Sequence, residues 1–222
     1  MTTTAMPKPH GDRGMEGIVA KWYAANTAEV MNEYQELAQR IAREIAPGSR
    51  VLEVAPGPGY FCIELARLGS FEITGLDISR TFVKIASKKS AEAGVNVRFE
   101  QGSASTISFP RGTFDFLLCR AAFKNFAKPV PALQEMCRVL KPGGRGLIID
   151  LRGDASPALI NSHVDRMGLS TFNRLMTRLA FRTMLLKSAY TKQQFMQMLA
   201  QTEFRKVNIV EADIGLEISM ER

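Results

Sequence analysis

Histidine and cysteine are scarce in this chain of 222 residues, which holds two of the first and three of the second. Cys62, Cys119 and Cys137 fall at no metal-ligand spacing and make an odd count, which argues against a metal centre and against a disulfide framework. A reducing, cytoplasmic setting is the expected one. No apolar run approaches the ~20 residues a membrane-spanning helix needs. The opening stretch, MTTTAMPKPHGDRG, lacks the apolar core of a secretory signal and is expected to be a frayed tail. Internal repeats and low-complexity tracts are also missing. What is there reads as an ordinary globular protein, with 45% hydrophobic and 23% charged residues. The net charge of +7 invites an anionic partner. However, the Lys and Arg are spread along the chain apart from a concentration near residues 174 to 187. That spread favours solvated surface charge over a nucleic-acid footprint.

The chain alternates between two periodicities. Val30, Tyr34, Leu37, Ile41 and Ile45 recur every three or four positions and predict a helix that Pro47 and Gly48 stop. A shorter helical piece with Trp22 and Tyr23 precedes it, across a break at Asn26 and Thr27. Apolar strands are then predicted at 51–54, 71–76, 95–100, 114–119 and 147–151. Helices fall between them at 60–67, 80–93 and 129–140, the second capped by Ser79 with Val83 and Ala86 facing inward. Such repeated units imply parallel strands and right-handed crossovers. Residues 155–187 hold no strand candidate, only two helical stretches with a break near Gly168, and a further helix runs over 192–202. Residues 206–211 and 214–219 read as a closing hairpin. The expectation is one α/β domain, a doubly wound, Rossmann-like, mostly parallel seven-stranded sheet with an antiparallel C-terminal edge hairpin. Its parts are an N-terminal helical cover (1–46), a core (47–151), a helical lid insertion (152–203) and C-terminal strands (204–222).

Ligands on such sheets sit beyond the carboxyl ends of the strands. The stretch VLEVAPGPGY, residues 51–60, supplies a strand, a glycine turn and a helix start, which together make a ligand cradle. A dinucleotide fingerprint needs a third glycine where this chain has Cys62, and Glu53 would repel a pyrophosphate. The same carboxylate suits a cationic ligand.

Glu53, Ala55, Gly57 and Gly59 resemble the E-x-G-x-G-x-G signature of the class I S-adenosylmethionine-dependent methyltransferases, with Ala55 in place of the first glycine. GLDIS at 75–79, QGSAS at 101–105, FDFLLCRAAFKNF at 114–126 and EMCRVLKPGGRGLIID at 135–150 follow in that family's order. The last is similar to small-molecule members of the ubiquinone-biosynthesis type. The resemblance implies S-adenosylmethionine as cofactor. It places Gly57 and Gly59 beneath the methionine part, Glu53 by the ammonium, Asp77 on the ribose hydroxyls, Ile78 on the adenine, and Ser103 and Ala104 at the adenine edge. Arg120 and Ala121 fall where members line the methyl-transfer site. Histidines common just beyond are replaced by Phe123, Lys124, Asn125 and Phe126.

The implied reaction is methyl transfer to an O, N or S atom of a small, apolar or aromatic acceptor, with Tyr23, His163 and Lys124 as candidate catalytic residues. A nucleic-acid methyltransferase is one alternative, although no Asn or Asp followed by Pro-Pro and an aromatic residue stands after the fourth strand. A cofactor-binding protein without catalysis is the other. FNRLMTRLAFRTMLLK, residues 172–187, spaces Arg174, Arg178 and Arg182 by four. With Met167, Met176 and Met184 nearby, it reads first as a lid and second as a peripheral membrane contact.

Overall fold

The computed structural model describes residues 15–17, 20–21, 31–168, 170–181 and 186–222. The expectations placed on His10, Trp22, Tyr23, Asn26, Thr27, Val30, Arg182 and Met184 lie outside the described residues. In chain order the elements are α1 (Met31–Glu44), β1 (Arg50–Val54), α2 (Tyr60–Ala66), β2 (Glu72–Asp77), α3 (Arg80–Glu92), β3 (Arg98–Gln101), β4 (Phe114–Arg120), α4 (Pro129–Val139) and β5 (Leu140–Leu151). They continue as α5 (Pro157–Arg166), α6 (Thr171–Ala180), α7 (Lys192–Leu199), β6 (Arg205–Ala212) and β7 (Gly215–Glu221).

The seven strands form one sheet in the order β3-β2-β1-β4-β5-β7-β6. β1 pairs in parallel with both β2 and β4, whereas β7 runs antiparallel between β5 and β6. The chain winds outward from β1 in one direction and from β4 in the other, so the switch point lies between their carboxyl ends. Side-chain alternation along the central strands divides the core in two. Val51, Phe116 and Leu118 pack with Leu37 and Ile41 of α1 and Phe61 and Leu65 of α2. Leu52, Val54, Leu117 and Cys119 pack on the other face with Leu133 and Met136 of α4 and Phe195 of α7. The buried stripe of α1, Leu37, Ala38 and Ile41, keeps the predicted period.

Three predicted details shift. β3 begins at Arg98 rather than Val95, because the main chain of Val95 is tied to Ser90 at the end of α3 by two hydrogen bonds. α3 buries Phe82, Ala86 and Ser90 while Val83 is half-exposed, so its inward stripe is rotated by one residue. β5 starts seven residues before Leu147 and absorbs Lys141, Pro142, Gly143 and Gly144. The pairing with β4 skips from Phe114↔Leu140 to Phe116↔Arg145, and the bulged backbone is held by Arg222 through Gly143 N–H to Arg222 O (2.8 Å) and Arg222 N–H to Gly144 O (3.0 Å). A Pro-Gly-Gly run can enter a strand there because the bulge takes up the residues that cannot join the ladder.

Candidate functional site

β1 ends at Val54, and the next residue turns the chain sharply: Ala55 has φ 58° and its N–H donates to Leu76 O at 2.8 Å. Gly57 follows at φ 55° and Gly59 at φ 79°. The two glycines serve different needs. A Cβ on Gly57 would have no protein atom within 4 Å, whereas one on Gly59 would come 2.7 Å from Phe99 Cζ and 2.9 Å from Ala86 Cβ. Gly57 faces open space at the cavity wall. Gly59 lets α2 pack against the sheet, with Gly57 and not Gly59 on that wall.

A cavity of about 380 Å³ opens at the carboxyl ends of β1, β2 and β4. Glu53, Ala55, Gly57, Asp77, Ile78, Ser103, Ala104 and Arg120 all line it, gathered from the ends of four strands. Its size falls within the range of small-molecule and cofactor sites. Asp77 is held at the loop by accepting from Gly57 N–H (3.0 Å) and Ser79 N–H (2.8 Å). Burial pushes its carboxyl up, and the two N–H groups oppose that. Each oxygen keeps a second lone pair for hydroxyl donors. Ser79 also caps α3 by accepting from Phe82 N–H, and it donates to Met15 O at 2.6 Å. This brings Met15 onto the cavity wall, while Glu16 accepts from Arg80 N–H and Thr81 N–H at the start of α3.

Glu53 is only 2% exposed. Burial pushes its carboxyl up to about 7, against the thiol of Cys62, which donates at 2.9 Å, and the charge of Arg120. The Cys62 thiol is itself pushed well up by burial and by Glu53. Arg120 stacks 4.2 Å over the Tyr34 ring and pairs with Glu33, so α1 closes this end of the cavity. The Ser103 hydroxyl lies 3.0 Å from that of Ser105 and remains half-exposed.

Two candidate catalytic residues lie elsewhere. Lys124 is buried, donates from Nζ to Asp150 Oδ1 (2.9 Å) and Ala121 O (2.7 Å), and its own N–H bonds Asp150 Oδ2 (2.9 Å). It braces the turn after β4 and has no place on the cavity wall. His163 sits on α5, 2.7 Å from Asp213 Oδ2 and edge-on to Phe181, also away from the wall. Tyr23 is outside the described residues. Among the described residues, none of α5, α6 or α7 lines the cavity. Sequence reasoning did not single out Phe82, Asn125, Phe126, Lys128 or Ala132 for this wall. For Phe82 the available signal was the four-residue spacing to Ala86. Asn125 ends, and the others follow, a short 3-10 turn at Phe123–Asn125 that has no periodic pattern.

The family description "Methyltransferase domain" matches residues 51–144, the span that builds the cradle, Asp77 and the turn after β4. That span is similar to methyltransferases of known families. The chain is 40% identical over 108 residues to a demethylmenaquinone methyltransferase of Deinococcus radiodurans, a match that covers 48% of this chain and 45% of that protein. It is 36% identical over 107 residues to a ubiquinone/menaquinone biosynthesis C-methyltransferase of Azotobacter vinelandii, covering 46% and 42%. The chain thus spans about half the length of the curated relatives it matches. Among solved structures, a putative S-adenosylmethionine-dependent methyltransferase of Methanococcus maripaludis shares the fold with a TM-score of 0.69 at 22% identity, over 91% of each chain. The YcgJ protein of Bacillus subtilis gives a TM-score of 0.62 at 25% identity, over 81% of this chain and 71% of that one.

The residues of this cavity fit S-adenosylmethionine. Asp77 offers acceptors to a pair of ribose hydroxyls, Glu53 offers a carboxyl to an ammonium, and Gly57 leaves room where any larger residue would fill the cradle.

Proposed function

We propose that this protein transfers the methyl group of S-adenosylmethionine to a small, apolar or aromatic acceptor, with quinone-type rings the first class to test. The observation that carries the reading is the meeting of Asp77, Gly57 and Glu53 on one cavity wall at the switch point of the sheet. When bound, the cofactor supplies an electrophilic methyl group on a sulfonium centre. The protein's part is placement and exclusion of water. Asp77 and Gly57 hold the nucleoside end, Glu53 and Arg120 set opposite charges about the amino-acid end, and Tyr34, Ala121, Ala122 and Phe126 wall the remaining space. Among the described residues no histidine reaches this wall, which suits a displacement driven by orientation more than by proton removal. The curated relatives named as C-methyltransferases add a carbon acceptor to the O, N and S acceptors weighed from sequence.

The test is incubation of the protein with S-adenosylmethionine bearing an isotopically labelled methyl group and a panel of quinols, catechols, amines and thiols, read by mass spectrometry. A product one labelled methyl heavier, lost in Asp77→Asn, supports the reading. Cofactor binding with no labelled product, from the panel or from cell extract, would assign the site to a binding protein without catalysis. Failure to bind the cofactor would refute both.

A further inference from the structure

α5 and α6 make a hairpin beside the sheet, with a small core of their own formed by Ile160, Val164, Phe181 and Leu186. Five of the ten exposed large apolar side chains among the described residues lie on this hairpin, so the exposure is a patch and not a scatter. Leu175 is 64% exposed, Met167 49% and Met176 48%. The rotation of α6 explains it. Arg174 and Arg178 turn toward α5, where they meet Asp165 at 3.5 Å and 2.6 Å. That clamp holds the arginine face against the neighbouring helix and leaves Leu175 and Met176 outward.

Positive charge is concentrated in the same stretch of sequence. Residues 155–192 contain six Lys and Arg against a single acid, Asp165, and so carry a net +5 of the chain's +7. Arg166 and Lys187 are exposed at the borders. We infer that the α5–α6 hairpin is a docking surface for an anionic lipid bilayer, with Met167, Leu175 and Met176 entering the acyl boundary and the flanking bases meeting the headgroups. An apolar helix face bordered by Lys and Arg lies in the interface plane by this combination of burial and attraction. A second copy of the chain would set two surfaces of like charge together, and a nucleic acid offers nothing to aliphatic side chains. Among the described residues none of this surface lines the cavity, so the inference stands independently of the methyl-transfer reading.

Flotation of the full chain with phosphatidylcholine vesicles, with and without phosphatidylglycerol, tests it. The protein is expected to partition onto the anionic vesicles about tenfold more strongly than onto neutral ones, and added salt is expected to weaken this. Leu175→Glu with Met176→Glu is expected to lower the partition about tenfold or more, with thermal unfolding and S-adenosylmethionine titration unchanged. Leu175→Gln, a milder change, is expected to act in the same direction. Equal or absent flotation with both lipids would overturn the inference, as would binding undiminished in both variants. A vesicle-free dimer that the double variant converts to monomer would also overturn it, assigning the face to a second copy.

Discussion

Replacing Glu53 with Gln should make the protein more stable at alkaline pH while weakening its hold on the cofactor. Glu53 is 2% exposed and its carboxyl is pushed by burial from its ordinary 4.5 to about 7. The folded chain therefore keeps this proton up to about pH 7, whereas the unfolded chain releases it near 4.5. Between those values the folded state binds more protons, so stability falls as pH rises, and the loss is complete above about 7. At about 1.4 kcal/mol for each pH unit, the full effect is roughly 3 kcal/mol. Gln carries no charge to desolvate and still offers an oxygen to the Cys62 thiol. Urea unfolding from about pH 4.5 to about pH 8 is the assay. The variant should match the wild type at the acid end and exceed it by roughly 3 kcal/mol at the alkaline end. Its affinity for S-adenosylmethionine should drop by about tenfold or more, with no remaining dependence on pH near 7. A stability difference that is flat with pH, or a variant less stable than wild type at about pH 8, would refute the reasoning.

Three further outcomes follow from the geometry. Gly57→Ala meets no protein atom but places a methyl group at φ 55°, so it should cost about 1–2 kcal/mol in chemical denaturation and remove most cofactor binding by titration. Ala55→Gly relieves an L-residue at φ 58° and should leave stability equal or raise it by up to about 1 kcal/mol, since backbone freedom in the unfolded chain offsets part of the gain. Lys124→Met leaves Asp150 buried at 1% side-chain exposure without its cation, and should cost about 3–5 kcal/mol in urea unfolding; a cost under about 1 kcal/mol would mean the pair does not brace the turn after β4.

The core was legible in the sequence because its strands are buried on both faces and its helices are capped, so periodicity, Ser79 and the glycines carried the information locally. Asp77 could be placed for the same reason, as the last residue of an apolar run followed by a cap. What escaped depended on partners distant in the chain. The roles of Gly57 and Gly59 separate only once Phe99, forty residues on, is seen to fill the space beside Gly59. The partner of Lys124, a candidate catalytic residue, is Asp150, which only the pairing of β5 brings beneath it. The early start of β5 needed Arg222 at the far end of the chain. The direction of the arginines of 172–187 was also out of reach, since Asp165 on the neighbouring helix is what turns Arg178 toward it.

The central claim is that the cavity at the ends of β1, β2 and β4 holds S-adenosylmethionine through Asp77. Calorimetric titration of the cofactor into the wild type and into Asp77→Asn tests it most directly. The account predicts one molecule bound per chain, and binding weakened by about tenfold or more in the variant while its unfolding stays cooperative. No binding heat in the wild type, or equal affinity in the two proteins, would contradict it.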